Sequence, residues 1–271
     1  MRIAYVVLGH REPDQIFRLF GRLDDGVRIL HYDAKAPDQQ LVRERAAVEG
    51  VALAPARRVY WGDWSSIEAT LAGLRVAAAQ DVDYAVLLSG QDYPLTSASE
   101  RHRALEQLEG RTAMRHLPLP VEQWPGNGGL DRIRRVHVRV PLMNGPRSML
   151  RLPLRRKVPD GIAPHGGLHW SAFSREAIAH LIALDARDPI RRMYRRALIP
   201  DEGFFQTALV NSPLRERLDG EGLHYTAFDG WHPRVLREAD LPALRESGKL
   251  FARKFDVRVD AAVLDALDRA A

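Results

Sequence analysis

Short apolar runs alternate with helical patterns along residues 1–90. Residues 3–8 and 84–88 are continuous hydrophobic segments, which is typical of strands buried on both faces, and residues 27–32 are a further predicted strand. A helical pattern follows the first run after Pro13, and a second begins at residues 65–68, whose sequence Ser-Ser-Ile-Glu is that of a capping box. This order predicts βαβ units and an α/β fold in which helices flank a mixed, mainly parallel sheet.

The remainder of the chain has a less regular pattern. Helices are predicted over residues 98–108, 174–184, 201–210 and 261–270, and alternation over residues 133–140 predicts a strand. A loop rich in proline and glycine precedes that strand. Because no repeat, low-complexity tract or linker divides the chain, we expect a single domain over residues 1–271.

Composition excludes several classes of protein. The 271 residues are 45% hydrophobic and 28% charged, as in ordinary globular proteins. The absence of cysteine excludes disulfides, thiolate metal sites, iron–sulfur clusters and cysteine nucleophiles. With 40 basic and 35 acidic residues the formal charge is +5, and no RNA-binding motif is present, so no nucleic-acid partner is expected. The opening apolar run is too short for a signal peptide and no later run suits a membrane span, which predicts a cytoplasmic protein.

Polar side chains follow each of the three predicted parallel strands. Gly9-His10-Arg11 follows the first, residues 31–35 end the second, and residues 89–94 follow the third. Ligands of open α/β sheets bind outside the carboxyl ends of the strands. Turn capping is the alternative role for Asp33 or Asp92 taken singly. Three clusters at one edge favour a binding site.

The sequence lacks the motifs of several other enzyme classes. Neither a Gly-x-Gly-x-x-Gly loop nor a P-loop is present, which argues against dinucleotide enzymes and P-loop NTPases. His165 and His169 are four residues apart, but the glycines between them argue against a helix that presents both to zinc. No Gly-x-Ser-x-Gly nucleophile elbow occurs either.

Two further segments are candidates for catalysis. Asp201 and Glu202 are adjacent carboxylates after a proline, and favourable charge at a helix N-terminus and a rigidly held general base are equally open interpretations. Arg253 and Lys254 lie in a segment rich in phenylalanine. Cations in apolar surroundings need an anion, either Asp256 or a bound ligand, and a solvated surface is the alternative.

Specific strings connect these pieces to a known family. Residues 88–95 read Leu-Ser-Gly-Gln-Asp-Tyr-Pro-Leu, and residues 251–256 read Phe-Ala-Arg-Lys-Phe-Asp. Weaker matches lie at residues 5–10, 31–35, 61–62, 68–69, 170–175, 200–202, 205 and 207, in the family's order. The chain resembles the core-2/I-branching family, glycosyltransferase family 14. That family contains β-1,6-N-acetylglucosaminyltransferases and peptide O-xylosyltransferases, and the chain is similar to a catalytic core of bacterial type.

The resemblance implies a GT-A-like fold, a UDP-sugar donor, inversion at the anomeric carbon and no divalent metal or other cofactor. It also implies a nucleotide-sugar-binding half, residues 1–110, and an acceptor-binding and catalytic half, residues 111–271. The sequence agrees on the metal. A metal-binding Asp-x-Asp would follow a central strand, whereas Asp81-Val82-Asp83 precedes the strand at residues 84–88.

Catalytic roles are carried over from the family motifs. Glu202 matches the general base that takes the proton of the acceptor hydroxyl. Lys254 and Arg253 match the cations that stabilise the leaving UDP, with Arg234 as an upstream partner and Arg237 as the alternative to it. Fixed cations of this kind can replace a metal as the electrostatic catalyst.

Binding roles follow in the same way. Asp33 matches a residue at the uracil end of the donor, Trp61 lies near the donor in relatives, and Ser89 and Asp92 are expected to shape the sugar and diphosphate site. The acceptor side is implied for three aromatic residues, which are His169, Trp170 and Tyr225.

The sequence therefore predicts an inverting, metal-independent glycosyltransferase. The expected donor sugar is N-acetylglucosamine, with xylose second, and the acceptor is a carbohydrate, a glycolipid or a glycosylated small molecule. Nine basic residues between 131 and 157 suit either an acidic acceptor, an anionic membrane surface or a solvated face. The rival functions are a non-catalytic sugar-nucleotide or glycan-binding protein, an RNA-binding protein and a glycosidase, the last disfavoured by the cations around Lys254.

Overall fold

A seven-stranded sheet forms the centre of the fold. The computed structural model describes residues 1–141, 143, 145–230 and 232–269. The strands, numbered in chain order, are β1 Ile3–Gly9, β2 Val27–Tyr32, β3 Ala52–Leu53, β4 Tyr84–Ser89, β5 Asp92–Pro94, β6 Thr112–Ala113, β7 Leu117–Pro118, β8 Arg135–Arg139, β9 Met149–Arg155, β10 His165–Gly166, β11 Ala172–Ser174, β12 Leu218–Asp219, β13 His224–Thr226, β14 Phe228–Asp229, β15 His232–Pro233 and β16 Phe251–Arg253. The central sheet has the order β12-β6-β11-β4-β1-β2-β3.

The sheet is mixed and mainly parallel. Strand β1 pairs in parallel with β2 and β4, β2 with β3, and β12 with β6, whereas β11 runs antiparallel to β4 and β6. The three segments predicted as parallel strands are β1, β2 and β4, so the predicted α/β class is confirmed. The three strands at one end of this sheet, β12, β6 and β11, all follow β4 in the chain.

Helices cover both faces of the sheet. They are α1 Pro13–Gly21, α2 Gln39–Glu49, α3 Ser65–Ala78, α4 Ala98–Glu106, α5 Pro125–Gly128, α6 Leu130–Arg134, α7 Arg175–Ala183, α8 Pro189–Tyr194, α9 Phe204–Val210, α10 Leu241–Glu246 and α11 Ala262–Arg269. Alternate side chains of β1 enter different cores, because successive residues of a strand point to opposite faces. Tyr5 and Val7 pack with α1 and α11, and Ala4 and Val6 pack with α3 and α7.

Two local predictions need correction. Ser65 is the first residue of α3 and not its cap, because its hydroxyl accepts the Tyr60 N–H at 2.8 Å and bonds to Asp63. The helix predicted over residues 201–210 is divided. Pro200–Glu202 forms a separate 3₁₀ turn and α9 starts at Phe204.

A smaller sheet and a hairpin complete the part that surrounds the site. Strand β16 lies between β13, to which it is parallel, and β5, to which it is antiparallel. Strands β8 and β9 form a separate antiparallel hairpin, where the alternation at residues 133–140 predicted one strand. Within the described residues, none of the helices has both the length and the apolar character needed to cross a membrane.

Candidate active site

A cavity of about 1230 Å³ opens at the carboxyl ends of β1, β2 and β4. All three predicted polar clusters line it, through Gly9, His10 and Arg11, through His31, Asp33 and Lys35, and through Ser89, Gly90 and Gln91. The convergence follows from the parallel pairing, which brings the ends of these strands to one edge. The volume exceeds that of an ordinary small-molecule pocket, so it suits a ligand with several parts.

Asp33 lies at the end of β2 and is buried. Its carboxylate accepts the N–H of Lys35 at 2.9 Å and that of Val59 at 3.3 Å, and Lys35 Nζ is 3.4 Å away. The Lys35 ammonium also sits 4.5 Å above the centre of the Tyr60 ring. Asp33 therefore combines a turn-capping role with a place in the cavity wall.

Asp92 holds Arg253 from behind the cavity wall. The register of β5 and β16 sets the two residues opposite each other, and Arg253 Nε donates to Asp92 at 3.0 Å. Asp92 is fully buried and also accepts the N–H and the hydroxyl of Ser89, both at 2.7 Å. Burial acts to raise its pKa, but Arg253, the His224 ring at 3.6 Å and the Ser89 N–H lower the pKa below the ordinary value for aspartate. The carboxylate is thus a fixed negative support for Arg253.

The guanidinium of Arg253 stacks on Trp170, with 4.2 Å between its central carbon and the ring centre. Lys254 follows in the chain and lines the same cavity. Burial lowers its pKa, and the neighbouring cations Arg11 and Arg253 lower it further. Among the described residues, no carboxylate lies within 4 Å of the Lys254 ammonium. A desolvated cation beside two others favours an anionic ligand at this wall.

Glu202 faces the cavity from the 3₁₀ turn, with 36% of its side chain exposed. It forms an ion pair with Arg132, whose guanidinium lies 4.7 Å from the centre of the Trp124 ring. Burial raises the pKa of Glu202, Arg132 lowers it and Asp201 raises it, and the net effect is an increase. A carboxylate with a raised pKa is a better proton acceptor than an ordinary one, which suits a general base.

Asp201 and His169 lie beneath Glu202. His169 Nε2 is 3.0 Å from the Thr70 hydroxyl, its ring stacks on Phe205, and its Nδ1 is 3.8 Å from Asp201. Burial lowers the pKa of His169 to about 3, with Arg253 adding to the effect, so the ring is neutral. Burial raises the pKa of Asp201. Both residues also line the cavity, where 25% of the Asp201 side chain is exposed.

The backbone of this turn is unusual. Ile199 has φ 49°, a left-handed conformation that is rare for a β-branched residue, and it precedes Pro200. Gly203 ends the turn where a side chain would not fit, since an added Cβ would lie 2.7 Å from Tyr194 Oη. These two features separate the carboxylates from α9 and place them at the cavity wall.

The structure brings most of the predicted site residues together. Those that line the cavity are Asp33, Trp61, Ser89, His169, Trp170, Glu202, Arg253 and Lys254. Asp92 is behind the wall, as described above. Arg234 forms a bidentate ion pair with Asp240, at 2.8 and 2.5 Å, and it does not line the cavity. Neither Tyr225, which pairs with Ala252, nor the exposed Arg237 lines the cavity. The binding roles given to these residues stay predictions.

Several residues of the cavity were not predicted from the sequence. Arg132 is the most important, because it pairs with Glu202, and Arg115, Tyr60 and Trp124 also line the wall. The only signal for Arg132 was its place in a stretch dense in arginine, where no single residue stands out. Its partner is 70 positions away in the chain, so spacing could not reveal the pair.

The Asp-x-Asp sequence lies away from this cavity, as the sequence predicted. Asp81 and Asp83 both pair with Arg175, and Asp83 accepts the backbone N–H of Arg2 at 2.7 Å, ahead of β4. Among the described residues, no group of three histidine or acidic side chains could hold a metal ion.

Comparison with known proteins assigns the family. The model for the Core-2/I-Branching enzyme family matches residues 3–245. The chain belongs to this family. The resemblance stated from the motifs is confirmed.

Several curated proteins that are similar to this family member are xylosyltransferases. Xylosyltransferase 2 of Canis lupus familiaris is 26% identical over 99% of this chain and 33% of that protein. Xylosyltransferase of Ciona intestinalis is 24% identical over 99% of this chain and 34% of that protein. The chain spans about a third of the length of these relatives. Among solved structures, S. aureus TarS in complex with UDP is 10% identical over 72% of this chain and 55% of that one, with a TM-score of 0.35, and the assignment does not depend on it.

Proposed function

We propose that the chain is an inverting, metal-independent glycosyltransferase that moves a sugar from UDP to a hydroxyl of a carbohydrate acceptor. The observation that carries the proposal is the presence, in one cavity, of a carboxylate with a raised pKa and of two cations on another part of the wall. These are Glu202 on its 3₁₀ turn and Arg253 with Lys254 at the end of β16.

Each group has one task in the proposed reaction. Glu202 takes the proton of the acceptor hydroxyl as that oxygen attacks the anomeric carbon of the donor sugar. The bond from this carbon to the β-phosphate oxygen breaks, and its electron pair leaves with UDP. A single displacement needs one base and no covalent intermediate, and it inverts the configuration at the carbon. Glu202 ends the step protonated, and UDP carries the added negative charge.

The cations are proposed to stabilise the leaving diphosphate. Arg253 is supported by Asp92 and Trp170, so it does not have to be reoriented as negative charge develops. Lys254 supplies a point charge and Arg11 lies in the same wall. The position of Asp81 and Asp83 ahead of β4 also supports this division of roles, because neither carboxylate lines the cavity.

N-acetylglucosamine is our first candidate for the donor sugar, and xylose is the second. The names of the curated relatives favour xylose, although identity is 24–26% and a third of each relative is matched. The expected acceptor is a carbohydrate, a glycolipid or a glycosylated small molecule, which would bind near Glu202.

The test of the donor is calorimetric titration with UDP, UDP-N-acetylglucosamine and UDP-xylose in the presence of EDTA. Selective binding of one sugar nucleotide under EDTA is the expected result. Binding that appears only after manganese is restored would overturn metal independence. No binding in either condition would reject the donor assignment and leave a non-catalytic protein.

Two substitutions test the assigned roles. Glu202→Gln should lower transfer by about 10²–10⁴-fold, because the base is lost, and leave UDP binding nearly unchanged. Lys254→Ala should weaken UDP binding itself, because a cation near the diphosphate is removed. Glu216→Gln and Lys249→Ala, at residues away from the cavity, are the matched controls. Full activity of Glu202→Gln would show that the assigned base is wrong.

A further inference from the structure

The β8–β9 hairpin exposes two leucines of β9. The pairing of β9 with β8 is irregular between Arg151 and Arg155, where β9 has a bulge. Leu150, before the bulge, is 51% exposed, and Leu154, within it, is 58% exposed. Single exposed leucines are ordinary, and these two gain significance from the cations around them.

The same hairpin is strongly basic. Residues 132–159 contain nine basic residues and no acidic one. Four of the nine have structural partners or lie in the interior, as Arg132 does with Glu202 and Arg156 does with the carbonyl of Met193. The others are exposed and, among the described residues, have no carboxylate within 4 Å; these are Arg134, Arg147, Arg151, Arg155 and Lys157.

The leucines and these cations are arranged so that both can meet one interface. Leu150 and Arg151 are adjacent and exposed at one end of the bulge, and Leu154 and Arg155 are adjacent and exposed at the other. Arginine has a long apolar stem and a charged head, so it can reach sideways to phosphate groups while neighbouring leucines enter an apolar layer. The hairpin can therefore satisfy both kinds of side chain at the boundary between headgroups and acyl chains.

We propose that the β8–β9 hairpin docks on the surface of an anionic phospholipid bilayer. The exposed cations attract negatively charged headgroups, and the leucines insert among the acyl chains below them. A partner bound by charge alone would make no use of the leucines. A nucleic acid would engage the arginines but leave the leucines in water. This surface does not depend on the proposed transfer reaction, since neither Leu154 nor Arg151 lines the cavity.

The test is sedimentation of the full chain with vesicles of phosphatidylcholine alone or with about one third phosphatidylglycerol, at two salt concentrations. We expect binding to the anionic vesicles alone, weakened by salt. The double variant Arg151→Ala/Arg155→Ala should weaken it about 25-fold, since each basic residue near such a surface contributes about fivefold. The double variant Leu150→Ser/Leu154→Ser should also weaken vesicle binding. The binding that remains should depend more strongly on salt than that of the unchanged chain.

The controls lie on helix α2, where Leu41 is also 51% exposed and Arg43 is an exposed cation. Leu41→Ser and Arg43→Ala should bind vesicles like the unchanged chain, and circular dichroism should show that every variant keeps the fold. Equal loss in the controls, equal binding to neutral vesicles, or no binding to anionic vesicles would each overturn the proposal. Binding of a single-stranded oligonucleotide that the leucine variants retain, without vesicle binding, would reassign the surface to nucleic acid.

Discussion

The two reactive walls of the cavity rest on different kinds of support. Arg253 ends a strand of the small sheet and is held by Asp92, which is fully buried and bonded to Ser89. Glu202 stands on a 3₁₀ turn, is partly exposed, and is held by Arg132 from the short helix α6. One wall is fixed by a buried carboxylate, and the other by an ion pair at the edge of solvent.

This difference matches the tasks proposed for the two walls. Stabilising charge on a leaving group works best when the cations are already in place, because no energy is then lost in reorienting them. A general base has to contact the incoming hydroxyl and later release its proton to water, so it needs access. The comparison predicts that changes at the Asp92 wall affect folding and donor binding, whereas changes at the Arg132 wall affect catalysis and its pH dependence.

The largest effect is expected from Asp92→Asn. The substitution leaves the Arg253 guanidinium without its buried partner, and breaking such a pair costs about 3–5 kcal/mol. We expect a loss of this size in the free energy of unfolding, measured by denaturant titration, together with weaker binding of UDP by calorimetry.

Asp219→Asn is the control for that experiment. Asp219 is paired with Arg111 at 3.7 Å and is partly exposed, so its loss should cost less than about 1 kcal/mol. If the two variants were equally stable, the support of Arg253 by Asp92 would be no stronger than a surface pair and the comparison would fail.

The same comparison explains how far the fold could be predicted from the sequence. Strands β1, β2 and β4 are rich in apolar residues and are separated by helical patterns, so their positions, parallel direction and shared edge follow from the sequence. Strands β5 and β16 have three residues each, which is too short for any periodicity. They are nevertheless the strands that set Arg253 opposite Asp92. The residues mark both segments as candidate chemistry, but nothing in the pattern predicts that they pair.

The candidate site divides in the same way. Glu202 and Lys254 were found because they stand in recognisable strings. Arg132 was missed because its effect on Glu202 arises from tertiary packing over 70 positions. The sequence predicts that the residues of the 3₁₀ turn begin α9. The pattern does not show that the Tyr194 side chain leaves no room for a Cβ at Gly203, where the turn ends. Contacts between distant segments are what local patterns omit.

A smaller effect, of a different kind, is expected from Arg132→Ala. Arg132 lowers the pKa of Glu202, so its removal should raise that pKa further. Because the base acts in its ionised form, the acidic limb of the kcat/KM profile should move to higher pH, with activity lost first below neutrality. At alkaline pH the variant should differ by about fivefold or less, as expected for a partly exposed pair.

Arg192→Ala is the control for this shift, since Arg192 is exposed and has no carboxylate within 4 Å in the described structure. Its profile should coincide with that of the unchanged chain. If the acidic limb of the kcat/KM profile did not move in Arg132→Ala, Arg132 would not act on the base and would have a packing role only.

The smallest effect is expected from Trp170→Leu, and it separates two roles of one side chain. The sequence placed Trp170 on the acceptor side, but one face of its ring carries the Arg253 guanidinium at 4.2 Å. Removing a partly desolvated cation–π contact costs about 1 kcal/mol, which corresponds to a fivefold rise in the Kd for UDP. Trp170→Phe should restore most of the affinity. If instead the acceptor KM rises while UDP binding stays constant, Trp170 belongs to the Glu202 wall, and the support of Arg253 depends on Asp92 alone.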